Sequence, residues 1–179
     1  MEETTLETNR LLLKSINPKS VHDLFHSFDK KEIMNILGID ETAFNNYEEM
    51  HLKGMETFQT SFYYFLIIRK DNHHPIGECG FHSWNIKHKR AELFYKLNHD
   101  SDKRNGFISE ALPIIIEFGF KQLDLNRMEA FIADYNEPSK RLLSKNNFVK
   151  EGTLKSHYYF NGKFEDSDCY SLIRKEGDY

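Results

Sequence analysis

An asparagine and a serine stand three residues apart in the stretch NEPSKRLLSKNNF, which runs from residue 136 to residue 148. Pro138 and the helical spacing of the leucines that follow predict a short helix over 138–146. Asn136 is a good N-cap, whose side chain can accept a hydrogen bond from the N–H of Ser139. The same polar groups could instead contact a substrate, but the local sequence alone favours the cap.

A second candidate is the loop DKRNGFIS, residues 102–109, which leads from a strand end into a helix start. Backbone N–H groups at a helix N-terminus lack intrahelical partners, and the helix dipole favours an anion there. The adjacent Lys103 and Arg104 add positive charge. The loop therefore suits a phosphate or pyrophosphate, although Gly106 could serve only the turn and Ser109 only the helix cap.

Other loop chemistries fail on spacing. An EF-hand needs ligands at positions 1, 3 and 5, Gly at position 6 and Glu at position 12. Counting from Asp100 places Arg104 at position 5, Asn105 at position 6 and Ala111 at position 12, so the register is wrong. The sequence contains no GxxxxGK loop and no HExxH or similar histidine spacing, and we expect no metal.

The elements that must position these residues alternate between helices and strands. The predicted strands are 10–16, 61–69, 75–83, 90–97, 127–133 and 165–174; the predicted helices are one or two within 18–37, one within 41–60, and 109–123 and 138–146. Hairpin-like strands occur together with two strand-to-helix crossovers. We therefore expect an α+β fold with a mixed sheet.

Composition limits the function classes. The 179 residues carry a net charge of −4 and are 39% hydrophobic, which fits one domain over 1–179. Nucleic acid is disfavoured as a partner because its binders usually show a basic excess, whereas an acidic chain attracts a cationic amine.

The compartment is expected to be the cytoplasm. No apolar run reaches the roughly 20 residues of a membrane span, so no membrane partner is expected. The N-terminus lacks the basic region of a signal peptide. Cys79 and Cys169 form neither a disulfide framework nor a CxxC pair, and both are expected to be buried in strands.

The order of several motifs resembles the GNAT N-acetyltransferase superfamily. They are the strand AELFYKL, the loop KRNGFI, the helix opening SEAL and the stretch LNRMEAFIADYNEPSKRLLSKNNFVKEG. The opening TNRLLLKSI and the closing GTLKSHYYFNGKFEDSDCYSLIRKE resemble the ribosomal-protein-alanine acetyltransferases, the RimJ/RimL type. The likeness covers about residues 6–176. It implies a GNAT fold, in which helices flank a central mixed, mostly antiparallel and splayed sheet with a closing hairpin.

The resemblance also implies acetyl-CoA as co-substrate. The family's pyrophosphate signature, Q/R-x-x-G-x-G/A, falls on residues 103–108, with Lys in place of Gln or Arg and Ile in place of the final Gly or Ala. The end of the preceding strand would pair with the pantetheine amides. The implied cofactor-binding residues are Leu97, Asn98, Lys103, Arg104, Asn105, Gly106, Phe107, Ile108, Ser109 and Asn136.

The implied catalytic residues are Asn136, Ser139 and Glu92. Many GNAT enzymes have a tyrosine that protonates the leaving thiolate, but Leu143 occupies that position here. In the RimJ/RimL type, a serine at the position of Ser139 is proposed to interact with the thiol. Asn147 replaces the family's glycine and tolerates the left-handed conformation of a helix end.

A base is required because an ammonium cannot attack a thioester before it loses a proton. Glu92 aligns with the strand glutamate that histone acetyltransferases of this superfamily use as base. It could instead face solvent or pair with Arg90. Other candidate bases, each more typical of a structural role, are His82, His88, Tyr158 and Tyr159.

These features predict transfer of acetyl from acetyl-CoA to a primary amine by direct attack in a ternary complex. The resemblance favours the N-terminal α-amine of a protein, such as a ribosomal protein, and is compatible with a homodimer. A polyamine, aminoglycoside or amino acid remains an alternative acceptor. An acyl-CoA sensor without turnover is a second alternative, supported by the missing tyrosine.

Overall fold

The computed structural model describes residues 4–175. Its strands are β1 Thr5–Glu7, β2 Leu11–Ile16, β3 Thr60–Arg69, β4 Pro75–Asn85, β5 Arg90–Leu97, β6 Arg127–Ala133, β7 Val149–Phe160 and β8 Lys163–Ile173. Its helices are α1 Pro18–Ser27, α2 Lys30–Leu37, α3 Glu41–Lys53, α4 Phe107–Lys121 and α5 Glu137–Lys145, with a 3₁₀ turn at Asp100–Asp102. The predicted domain of 1–179 extends beyond the described residues at both ends.

The strands form one eight-stranded sheet in the order β1-β2-β3-β4-β5-β6-β8-β7. Neighbouring strands are antiparallel except β5 and β6, which are parallel and are joined through α4. Pairing between these two strands is limited to Arg90 with Arg127, Ala91 with Met128, and Glu92 with Glu129. Past these pairs β5 stays on β4 and β6 stays on β8. This confirms the predicted mixed, mostly antiparallel and splayed sheet.

Two helical layers cover the two faces of the sheet. On one face, Leu112 of α4 and Leu143 of α5 are buried with Phe65 and Phe81 of the sheet. On the other face, α1, α2 and α3 bury Val21, Ile33 and Phe44 against Phe62 and Leu66 of β3. We call these the α4–α5 face and the α1–α3 face. Because side chains alternate along a strand, adjacent residues of β5 belong to different faces.

Most element predictions are confirmed, with shifted ends. The region 18–37 contains two helices, the helix within 41–60 ends at Lys53, and α4 begins at Phe107, two residues before the predicted start. Individual strands at β1 and β7 were not predicted, although the resemblance implied the closing hairpin that β7 and β8 form. Cys79 is buried in β4 as expected, whereas Cys169 in β8 is only partly buried, so that prediction is wrong.

Neither a membrane-spanning helix nor a metal-binding cluster is found within the described residues. None of the helices within residues 4–175 has the length and apolar character needed to cross a bilayer. In the same part of the chain, no group of three or more His, Cys, Asp or Glu side chains is arranged to hold a metal ion.

Candidate active site

A cavity of about 590 Å³ lies between the end of β5, the loop before α4 and the start of α5. Its lining residues are Tyr95, Lys96, Leu97, Lys103, Arg104, Ile108, Asn136, Pro138, Ser139 and Leu142. The structure therefore brings together the predicted loop cations, the predicted strand end and the predicted Asn–Ser pair. The cavity opens on the α4–α5 face, where Tyr95 and Leu97 pack against the core.

The start of α5 is capped as the sequence predicts. The side-chain oxygen of Asn136 accepts a hydrogen bond from the N–H of Ser139 at 3.3 Å. Both residues are half-buried and line the cavity, so the cap fixes the position of their remaining polar groups. Leu143 is fully buried in the core. Asn147, just after the helix, has a φ of 64°, the left-handed conformation expected where the family has glycine.

The loop before α4 leaves the helix N-terminus without a side-chain cap. Gly106 is the N-cap residue, with a left-handed φ of 78°, and no side chain within residues 4–175 bonds to the first helical N–H groups. The amide of Asn105 donates to the carbonyl of Ser101 at 3.0 Å, and Arg10 donates to the carbonyl of Asn105 at 3.1 Å. The loop is thus held by its own Asn105 side chain and by Arg10 of another element, while its N–H groups stay available for an anion.

Three of the predicted cofactor residues in the segment 103–109 do not turn their side chains into the cavity. The Phe107 ring is buried, and the guanidinium carbon of Arg10 lies 4.7 Å from its centroid. The Ser109 hydroxyl accepts a hydrogen bond from Lys145 of α5 at 3.2 Å. The Asn105 amide is bonded within the loop. These residues can contribute backbone N–H groups to a phosphate, but not side chains.

The end of β5 presents Leu97, rather than Asn98, to the gap between β5 and β6. The N–H of Asn98 donates to the carbonyl of Ile76 in β4 at 2.9 Å, and its side-chain amide donates to the carbonyl of Gly38 at 2.7 Å. Backbone groups of alternate residues in a strand point to opposite edges. The N–H groups of Tyr95 and Leu97 therefore face the gap, where β6 no longer pairs with β5.

Sequence reasoning missed Tyr95, Lys96, Pro138 and Leu142 as cavity residues. The period of two along a strand offered a signal for Tyr95, because it shares a face with the predicted Leu97. Tyr95 is half-buried, and its hydroxyl oxygen is shielded from solvent.

Glu92 lies on the opposite face of the sheet, at the last β5–β6 pair before the gap. Its Oε1 accepts a hydrogen bond from the Tyr158 hydroxyl at 3.2 Å and lies 3.4 Å from Nε2 of His82. Arg90 pairs with Glu129 at 3.0 Å. The alternative in which Glu92 pairs with Arg90 is therefore wrong, and two of the alternative bases, His82 and Tyr158, instead flank the carboxylate.

The surroundings of Glu92 suit a base. Burial raises the pKa of Glu92, the hydrogen bond from Tyr158 opposes this rise, and the charge of Glu129 adds to it. Burial also lowers the pKa of His82, so its ring is neutral at neutral pH. Burial, followed by the effect of Glu92, raises the pKa of Tyr158 to about 12, so Tyr158 remains a donor. A carboxylate with a raised pKa can accept a proton near neutral pH.

The two sets of residues are separated by the sheet but meet at the gap in it. The cavity, with its uncapped helix N-terminus and two cations, can hold an anionic ligand on the α4–α5 face. Glu92 can hold and deprotonate an amine on the α1–α3 face. A ligand arm that pairs with the free edge of β5 could bring its end to the second ligand through the gap.

Residues 10–149 match the family model described as the acetyltransferase (GNAT) domain. The uncharacterized N-acetyltransferase YoaA of Bacillus subtilis is 34% identical over 94% of this chain and 96% of its own length. The ribosomal-protein-S5-alanine acetyltransferase of Vibrio fischeri superposes with a TM-score of 0.68 at 20% identity, covering 97% of this chain and 98% of its own.

The spermidine/spermine N-acetyltransferase SpeG of Vibrio cholerae superposes with a TM-score of 0.69 at 17% identity, covering 92% of each chain. At such identities the two solved structures show the fold alone. The match to the family model and the similarity to YoaA, each of which spans most of the chain, go further. The chain therefore belongs to the GNAT acetyltransferase family and is an acyltransferase, whose domain implies acetyl-CoA as co-substrate.

Proposed function

We propose that this acetyltransferase is of the RimJ/RimL type and acetylates the N-terminal α-amine of a protein. In this proposal the phosphates of acetyl-CoA bind the loop before α4, its pantetheine arm follows the edge of β5 at Leu97, and its thioester lies near Ser139. The amine approaches from the α1–α3 face. The observation that carries the proposal is the position of Glu92, a half-buried carboxylate at the point where the sheet opens toward the cavity.

The chemistry proceeds by direct attack. Glu92 takes a proton from the ammonium, and the free amine forms a bond to the thioester carbonyl carbon. The C–S bond then breaks, its electron pair stays on sulfur, and the nitrogen, which is cationic after the attack, loses its second proton to solvent to give the neutral amide. The Ser139 hydroxyl donates a hydrogen bond to the developing thiolate, which later takes a proton from water. Asn136 fixes the helix turn that carries Ser139.

The charges on the α1–α3 face favour a single amine over a polyamine. Cross-strand pairing places Glu78, Glu92 and Glu129 on this face. Lys96 lies 3.0 Å from Glu78, and Arg90 lies 3.0 Å from Glu129. Within the described residues, Glu92 has no Lys or Arg partner.

A polyamine needs several uncompensated carboxylates at once, because each of its ammonium groups loses water on binding and needs a negatively charged partner in its place. Of the three strand carboxylates described, Glu92 alone lacks a cationic partner, and one such carboxylate matches one α-ammonium. One structural neighbour named above is an acetyltransferase of a ribosomal protein and the other an acetyltransferase of spermidine and spermine, so the acceptor has to be tested directly.

The test is acetylation of a panel of acceptors, followed by mass spectrometry and by thiol titration. The panel contains peptides with a free N-terminal Ala or Ser, the same peptides with a blocked N-terminus and an internal Lys, spermidine and an aminoglycoside. We expect mass gain and thiol release only with free N-termini. Acetylation of spermidine but not of the peptides would contradict the acceptor assignment. Binding of acetyl-CoA without turnover of any amine would instead support the sensor alternative.

A further inference from the structure

Tyr95 has a feature that the proposed reaction does not yet use. Its hydroxyl oxygen is buried, and no group within residues 4–175 meets the distance and angle requirements of a hydrogen bond to it. Buried hydroxyls without a partner are uncommon in native structures, and each one calls for a physical explanation. The same side chain lines the cavity together with Ser139.

Ser139 is the polar neighbour that can form a hydrogen bond with the Tyr95 hydroxyl. Both side chains line the same cavity, and Ser139 is near enough to the Tyr95 hydroxyl to influence its pKa, which burial raises. They are therefore near each other but not aligned. Catalytic hydrogen bonds are often long or poorly aligned without substrate and shorten in the reacting complex.

We propose that Tyr95 is a positioning residue for Ser139. Its O–H donates to the side-chain oxygen of Ser139, so that the Ser139 O–H is directed at the sulfur of the donor. This proposal rests on the thiol role of Ser139 given above. It assigns a function to a strand tyrosine in an enzyme that has Leu143, a fully buried core residue, at the family's usual tyrosine position.

The chain of two hydroxyls needs no proton to leave Tyr95. When the C–S bond breaks, sulfur gains an electron pair and accepts a stronger hydrogen bond from Ser139. The Ser139 oxygen becomes more negative and accepts a stronger bond from Tyr95. Hydrogen bonds in a chain polarise one another in this way, more so in a site of low dielectric. Because its pKa is raised, Tyr95 keeps its proton throughout and remains a donor.

The test is a double-mutant cycle with Tyr95→Phe and Ser139→Ala in the full-length protein. We expect Tyr95→Phe to lower kcat about tenfold and to leave the KM for acetyl-CoA within about twofold. In the Ser139→Ala background, Tyr95→Phe should cause no further loss, because the hydroxyl then has nothing to position. The melting temperature of Tyr95→Phe should not fall, because the removed hydroxyl has no well-formed partner.

Tyr135→Phe is the matched control. Its hydroxyl donates to Glu165 at 2.9 Å on the exposed hairpin side, so its removal should leave kcat unchanged. A parent rate for Ser139→Ala would refute the thiol role of Ser139 and this inference with it. A lowered rate for Ser139→Ala would support that role. In that case, a parent rate for Tyr95→Phe would refute only the inference about Tyr95. A double mutant whose loss of rate equals the product of the two single losses would do the same.

Discussion

At the scale of single residues, Glu92 differs from its neighbours in the kind of partner it has. Glu78 and Glu129 are compensated by Lys96 and Arg90, whereas Glu92 contacts a tyrosine hydroxyl and a neutral histidine. A cation beside a carboxylate occupies oxygens that could otherwise receive a substrate ammonium. Glu92 lacks such a cation, so it keeps the raised pKa that proton transfer near neutral pH requires.

Glu92→Gln should lower kcat about 100-fold at neutral pH and leave the KM for acetyl-CoA nearly unchanged, because it removes only the base. In the parent, kcat/KM for the amine should be lost as the pH falls through the raised pKa of Glu92, since only the deprotonated form accepts the proton. Steady-state rates between about pH 5 and pH 9 measure both effects.

Tyr158→Phe provides the matched comparison. The hydrogen bond from Tyr158 lowers the pKa of Glu92, so its removal should move the acidic limb of the rate profile to higher pH. If Glu92→Gln runs within twofold of the parent, or if the acidic limb persists in that variant, another group is the base.

The sequence indicated the chemistry of several residues but not their surroundings. Asn136 was predicted as a cap and is one, because the cap depends on neighbours along the chain. Arg90 could not be assigned a partner from its closeness to Glu92 in sequence. Its partner is Glu129 of β6. Arg90 lies opposite Arg127 in the sheet, 37 positions further along the chain, and only the fold brings these two strands together.

At the scale of elements, the loop before α4 combines a left-handed glycine with an uncapped helix N-terminus. A Cβ atom built on Gly106 would lie 3.6 Å from the Arg10 guanidinium, an ordinary contact. A small side chain therefore fits there. Asn and Asp are the non-glycine residues that best tolerate this backbone conformation. They also differ in charge at nearly equal size, which allows a paired test of the phosphate site.

Gly106→Asp should weaken acetyl-CoA binding at least tenfold, or about 1.4 kcal/mol, because it places a negative charge beside the proposed phosphate position. Gly106→Asn, with the same shape and no charge, should bind within about threefold of the parent. Calorimetric titration of each folded variant with acetyl-CoA measures the difference. Equal affinities for the two variants would place the phosphates elsewhere.

The elements themselves were predictable to different degrees. The helix α4 was predicted because its sequence is apolar nearly all round, and α5 because leucines at helical spacing follow Pro138. β7 was missed because nearly all of its residues are exposed, so it lacks the alternation that marks a half-buried strand. The gap between β5 and β6 depends on how these two strands pair, and the 15-residue helix α4 separates them in sequence. The spacing of residues within each strand does not predict that pairing, and only the family resemblance implied the gap.

At the scale of the whole molecule, β7 is one of the two edge strands of the sheet and is linked to the inner strands by a charge network. Both carboxylate oxygens of Glu151 in β7 accept hydrogen bonds from Arg127 in β6, at 2.9 Å and 2.6 Å, across the intervening β8. The hydroxyl of Ser171 in β8 donates to the same carboxylate. These contacts with Arg127 and Ser171 lower the pKa of Glu151 to about 2.

This network should make the protein sensitive to acid. A carboxyl with a lowered pKa in the folded state stabilises the fold above its unfolded value, usually 4.5, and loses that effect as the pH falls toward about 2. The parent melting temperature should therefore fall between about pH 5 and pH 2, and Glu151→Gln should show a smaller fall. The effect is modest because the Glu151 side chain is 43% exposed and partly screened by solvent.

Glu117→Gln is the control, because its partner Lys121 lies one helical turn away and both side chains are about half exposed. Such pairs contribute little to stability, so this variant should follow the parent curve in differential scanning fluorimetry. If Glu151→Gln follows the parent curve equally closely, the network does not set the acid sensitivity.

Because β5 and β6 pair over so few residues, the proposed donor would also contribute to the structure of the sheet. With only three residue pairs across that seam, the first five strands and the last three form two panels joined at one corner. A pantetheine arm along Leu97 would pair with β5 as a neighbouring strand does, using the backbone N–H and C=O groups that β6 leaves unpaired. Donor binding would then make the junction between β5 and β6 more rigid, and release of the thiol would make it more flexible again. The flexibility of the sheet would therefore change in each catalytic cycle.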